Sequence, residues 1–338
     1  MTRRLKKWCT GGAMGCMMMM GAMATSCINE DLSDCGWDYE VVYSLQLHTN
    51  LHDHIEQEMT SARERELGKR LRAKLSDVFV EHAHDISLAF YESDSTCACF
   101  EEHEPNAASA SFSIYLPVKE YMHLAVANHR KTGTCAELVD VDYAHTAALR
   151  HPAHETRNSQ QVGLFSARLP MEIEYRKNTH HANLYMINCA SAVIINPNDV
   201  QYTSVQAQIV GTADCFIVRD SLYTFPQTEC PVQAEQLADT GSELLCLYAV
   251  SLPSRDQAVR SRVDEEHEAA WQYRIYVTLA DGSITESTLH IKEPLQAGGL
   301  HILRVSINPQ GAIIPDDPSV GVSIELDWKQ GGVFEPEM

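Results

Sequence analysis

Between residues 39 and 47 apolar and polar side chains alternate, with Tyr39, Val41, Tyr43, Leu45 and Leu47 falling on one face at period two. That is the mark of a half-buried strand. From 60 to 80 the period changes. Leu67, Leu71, Leu75 and Val78 recur at spacings of four and three among Arg, Glu and Lys, which predicts one amphipathic helix. Strand patterns then dominate, at 86–91, 111–117 and 121–127, followed by a polar stretch, 128–160, read as loop with at most one helical turn. A second series covers 169–175, 182–187, 191–195, 205–210, 215–218, 244–250, 271–277, 285–291, 299–307 and 320–328. Asp281-Gly282 between two alternating runs is a strong hairpin signal. Many short strands at regular spacing with almost no helix predict an all-β protein of β-sandwich architecture. The expected organisation is a first sandwich at 37–165, carrying the one short helix, and a second at 166–338.

The head of the chain follows a different rule. Arg3, Arg4, Lys6 and Lys7 precede a charge-free stretch from 8 to 26 that includes Met17-Met18-Met19-Met20 and ends in Ala24-Thr25-Ser26. A positive region, an apolar region and small residues at the cut describe a secretory signal. The stretch is too short and glycine-rich to span a bilayer, which needs about 20 predominantly apolar residues. Cys27 follows the small residues directly, in the manner of a bacterial lipobox. Cleavage is expected between Ser26 and Cys27, with the Cys27 thiol acylated as the new N-terminus and 27–36 serving as an acidic linker.

Charge sharpens this reading. The chain has 26 basic and 46 acidic residues. Residues 1–26 hold four of the basic residues and none of the acidic ones, so the remainder carries a formal charge of −24. Nucleic acid, whose phosphates demand a basic footprint, is excluded as a partner. Docking onto anionic lipid by charge is excluded as well, so attachment would come from the acyl chains.

Candidate chemistry is sparse. Cys189, Cys215 and Cys246 sit in apolar runs and are expected to be small buried hydrophobes. Pairing among Cys35, Cys97, Cys99, Cys135, Cys189, Cys215, Cys230 and Cys246 is left open by the sequence. Cys97-Ala98-Cys99 puts two thiols on one side of an extended segment, a weak metal signal. His48, His52 and His54, His82 and His84, His151 and His154, and His180-His181 form clusters without zinc-ligand spacing, and are read as solvated loop histidines. Glu101-Glu102 and Asp264-Glu265-Glu266 lie in polar runs and read as wet surface. There is no nucleophile elbow, Walker loop or dinucleotide fingerprint. No enzyme, cofactor or metal is expected.

Several segments resemble the fimbrillin-A-associated fimbrial anchor proteins of Bacteroidetes. They are the lipobox-like cysteine with Glu30-Asp31-Leu32-Ser33-Asp34-Cys35, the order 85–91, 115–117 and 121–127, the stretch 211–223, and the close at 295–299, 307–313 and 327–332. Ala24 stands where that family usually has a larger aliphatic residue. The resemblance implies two transthyretin-like Greek-key sandwiches and no catalysis. It also implies an outer-membrane lipid anchor at the cell surface, and a fimbrial structural subunit as partner, joined by exchange of a strand. Which strand is given or accepted is left open. The competing expectation is a surface lipoprotein that binds glycan. That reading wants exposed aromatics, yet Trp37, Trp271 and Trp328 lie in or next to strand patterns and are expected in the core.

Overall fold

The computed structural model describes residues 38–48, 64–79, 82–105, 111–131, 136–152, 156–175, 178–238, 243–255 and 269–327, together with Ile55, Met59 and Ser61. Strands are numbered along the chain, and four sheets result. The first runs β3 (Cys97–His103), β2 (Ile86–Tyr91), β5 (Glu120–Ala127), β9 (Phe165–Glu172), β10 (Asn178–Met186), β1 (Asp38–His48), β4 (Ser111–Pro117). The middle sheet is β16 (Glu235–Gln236), β17 (Leu245–Ser251), β11 (Cys189–Asn196), β20 (Leu300–Ile307), β21 (Ile313–Pro315). The outer sheet is β22 (Gly321–Asp327), β19 (Ile284–Ile291), β18 (Trp271–Leu279), β12 (Tyr202–Val210), β15 (Val232–Gln233), β8 (Arg157–Asn158). A small cover sheet is β14 (Leu222–Thr224), β13 (Cys215–Ile217), β7 (Ala148–Arg150), β6 (Glu137–Val139). The helix α1 spans Arg65–Val78.

The first sheet is folded over on itself. β1 stands three strands from β5 in the ladder, about 14 Å away if the sheet were flat. Yet the Tyr43 hydroxyl donates to His123 Nε2 at 2.7 Å, with ring centroids 5.4 Å apart. At the opposite margins, His103 of β3 stacks on Phe112 of β4 at 4.3 Å. The fold line lies between β9 and β10, whose ladder holds only Tyr185↔Ser166 and Met186↔Phe165. The result is a sandwich, which buries the alternating apolar face of β1.

One contiguous core joins the inside of this sandwich, the Leu67, Leu71 and Leu75 face of α1, and one face of the middle sheet. In β11, Ala190, Ala192 and Ile194 point into that core, while Cys189, Val193 and Ile195 point into the next, against Trp271, Tyr273 and Ile275 of β18. A strand buried on both faces reads as a continuous apolar run, as this one does. Arg304 of β20 clasps Glu64 at the start of α1, Nε to Oε1 at 2.9 Å, tying helix to sheet.

Three expectations are revised. First, 128–160 contains β6, β7 and β8 rather than loop. β7 pairs with β13, and the cover sheet packs Leu149, Phe216 and Val218 on Ala89, Leu124 and Val126 of the first sheet. Several polar side chains of this segment are buried and hydrogen-bonded. Arg157, 4% exposed, donates to the carbonyls of Ala213 and Cys230, both at 2.9 Å. Asn188 donates to Gln160 Oε1 at 2.7 Å. Secondly, the passage from the first sheet to the middle sheet comes between Met186 and Cys189; the expected boundary at 165/166 falls inside β9. Thirdly, β3 is a full strand, which its sequence CACFEEH conceals because only alternate residues are half-buried.

Candidate functional site

Ser26 and Cys27, the expected processing and acylation residues, lie outside the described residues, as do Cys35, Cys135, His52, His54, His154, Trp37, Trp328 and 264–266. Among the rest, Cys189, Cys215 and Cys246 are buried as small hydrophobes. Burial pushes the Cys189 and Cys246 thiols up to about 12. Cys97 and Cys99 do not share one side of β3: a bulge sets Cys99 opposite Phe90 against the sandwich core and Cys97 opposite Tyr91 against the cover-sheet core, and the Cys97 thiol donates to the Cys99 carbonyl at 3.4 Å. Glu101 pairs with His103 at 2.9 Å and Glu102 with Arg130 at 3.0 Å. Among the described residues no group of three His, Cys, Asp or Glu side chains is placed to hold a metal ion.

The histidines are not uniformly solvated loop residues. His151 is buried and shares a hydrogen bond with Gln160 at 2.9 Å. His180 turns inward towards Tyr43 and His123, its centroid 6.0 Å from that of His123. His123 itself, which sequence reasoning passed over, is fully buried, and burial lowers its pKa to about 3. Its only advertisement was a polar residue on the inward period of an apolar strand. Trp271, as expected, is core, 1% exposed, with its indole N–H donating to the Glu293 carbonyl at 2.8 Å.

The feature best suited to holding another chain is an incomplete edge. β20 pairs along Leu300–Ser306 with β11 on one side. On its other side β21 covers only Val305–Ile307, after which Asp316 N–H donates to the Arg304 carbonyl. The β21 ladder thus stops at Val305 and does not run on along Leu300–Leu303. Beside it opens a cleft of about 650 Å³. Leu289, Leu303 and Val305, all part of the core between middle and outer sheets, form its floor, and Lys292, Glu293, Asp316 and Asp317 its rim. An extended peptide laid in this cleft would send alternate side chains onto its apolar floor. Among the other margins, β3 carries Glu101 and Glu102, and β8 and β16 are two residues long.

No protein-family model matches this sequence, and no curated protein matches it. Solved structures do. A Bacteroides ovatus protein provisionally classed as an adhesin superposes with a TM-score of 0.51 at 9% identity, over 87% of this chain and 96% of its own. What the two share is the fold. The fimbrial anchor protein Mfa2 from Porphyromonas gingivalis gives a TM-score of 0.47 at 11% identity, over 86% and 98% of the two chains. A fimbrial assembly protein from Parabacteroides distasonis gives 0.42 at 8%, over 85% and 99%. At such identities a likeness speaks for architecture alone, and the architecture is all-β with packed sheets, as in the Bacteroides ovatus protein.

Proposed function

We propose that this chain is a lipid-anchored minor subunit at the base of a surface fimbria. It would be held in the outer membrane by acyl chains on Cys27 after cleavage behind Ser26, and would join the first structural subunit by strand complementation. The basic, apolar and small-residue order before Cys27 supports the anchor. The observation that carries the joining step is the cleft of about 650 Å³ beside β20, where the β21 ladder stops at Val305. Unpaired edges recruit strands, because main-chain N–H and C=O groups are satisfied whatever the partner's side chains.

The test fills the cleft. Ser319 lines it and is exposed, so Ser319→Trp places an indole where a partner's side chains would go without disturbing the core. The expected result is a folded protein, still labelled by fatty acid, from which the fimbrial shaft subunit no longer co-purifies. Undiminished co-purification with folded Ser319→Trp would remove β20 as the joining edge.

A further inference from the structure

A second cleft, of about 510 Å³, lies in the crease where β9 and β10 part, far along the chain from Cys27 and on different strands from the β20 edge. Its volume falls in the range of small-molecule sites, roughly 300–1,000 Å³. Phe216 and Tyr223 of the cover sheet supply apolar wall, and Ser166, Arg168, Asn183 and Ser221 supply polar groups. Three features give it a chemical preference.

The first is an exposed, immobilised ring. Tyr185 is 61% exposed, yet it is stacked on His48 with centroids 5.2 Å apart and planes 19° from parallel. A large apolar face kept in water and held in place by a second ring is a ready platform, since its ordering cost is already met before any ligand arrives. The second is an oriented amide. His48 Nε2 lies 3.3 Å from Asn183 Oδ1, which fixes the Asn183 side chain with its NH₂ free to donate. The third is charge. Arg168 donates from Nη1 to the Arg219 carbonyl at 2.7 Å, and no carboxylate lies within 4.0 Å of its guanidinium among the described residues. An unneutralised guanidinium stands out on a chain of formal charge −20, and its planar fork suits a carboxylate.

We infer that this cleft binds an acidic saccharide, a sugar bearing a carboxylate such as a uronic or sialic acid. The C–H face of one ring lies on Tyr185, the Asn183 amide and Ser221 hydroxyl bond its hydroxyl groups, and Arg168 takes the carboxylate. A neutral glycan would use the platform and the amide and leave Arg168 idle. An adhesive activity of this kind is additional to the anchoring role and does not depend on it.

The experiment is calorimetric titration of the purified chain with oligogalacturonate and with sialyllactose, each against its neutral counterpart, a galactose oligomer and lactose. The expected result is binding of at least one acidic ligand, weakened tenfold or more in Arg168→Gln, while Tyr185→Ala weakens it to a similar degree. Both side chains are exposed, so folding should survive, and an unchanged thermal midpoint verifies it. The inference is overturned if neither acidic ligand binds, if the neutral counterparts bind as well, or if Arg168→Gln binds like the parent.

Discussion

Lowering the pH from 7.5 to 5 should destabilise this protein, and His123 should account for a definable part of the loss. In the folded chain the imidazole is an Nδ1–H tautomer, since Nδ1 donates to the Ala89 carbonyl at 3.1 Å while Nε2 accepts from the Tyr43 hydroxyl at 2.7 Å. Phe90 lies parallel to the ring at 4.3 Å. Burial holds the pKa at about 3, against about 6.5 in the unfolded chain. The unfolded chain therefore takes up a proton that the folded chain refuses. The contribution of neutral His123 is complete above pH 6.5 and is lost as pH falls towards 3. At pH 5 the loss is about 2 kcal/mol, from 1.5 pH units at about 1.36 kcal/mol each. His180 and His129, also lowered mainly by burial, add to the slope in the same direction. Comparison with His123→Gln isolates the single residue, because the amide keeps hydrogen-bonding capacity and does not titrate. The variant should be less stable at pH 7.5 but lose about 2 kcal/mol less than the parent between pH 7.5 and 5, by urea unfolding at each pH. Equal losses in the two proteins, or an imidazole NMR titration midpoint near 6.5 for His123, would refute the reasoning.

Further outcomes follow from packing and backbone. Leu71 is wholly buried between α1, the first sandwich and the middle sheet, so Leu71→Ala should cost about 2–5 kcal/mol in urea unfolding with an unchanged denaturant slope. Gly282, with φ of +85° in the 280–283 turn, would place an added Cβ in open space, so Gly282→Ala should cost only the backbone penalty of about 1 kcal/mol; a larger loss would mean the turn is not as described. Cys189 and Cys246 should resist iodoacetamide at pH 8 in the native protein and react once it is unfolded, read by mass spectrometry of digested protein.

The elements that were legible in the sequence are those whose pattern is set by their own burial. β1, β18 and β19 alternate strictly and each has one face in a core, and the turn at Asp281-Gly282 is written in two residues whose conformational needs are local. α1 is equally plain, since Leu67, Leu71 and Leu75 mark one side. β6, β7 and β8 were hidden because strands of two or three residues carry no period, and β13 and β15, the partners of β7 and β8, arrive more than 60 residues later. The β20 edge and the β9–β10 crease were hidden for a different reason. Both are gaps in a ladder, made by where neighbouring strands stop, and nothing in 300–303 or 166–169 marks them in advance. Tyr185 looked like any outward residue of an alternating strand until His48 was found stacked against it.

The proposed anchoring role rests on Cys27, and one substitution tests it most directly. Cells expressing Cys27→Ala, fed radiolabelled palmitate, should yield protein without label, released from the outer membrane, with fimbriae detached or abnormally long. Mutant protein retained in the outer membrane without label, on cells whose fimbriae remain attached, would contradict the account.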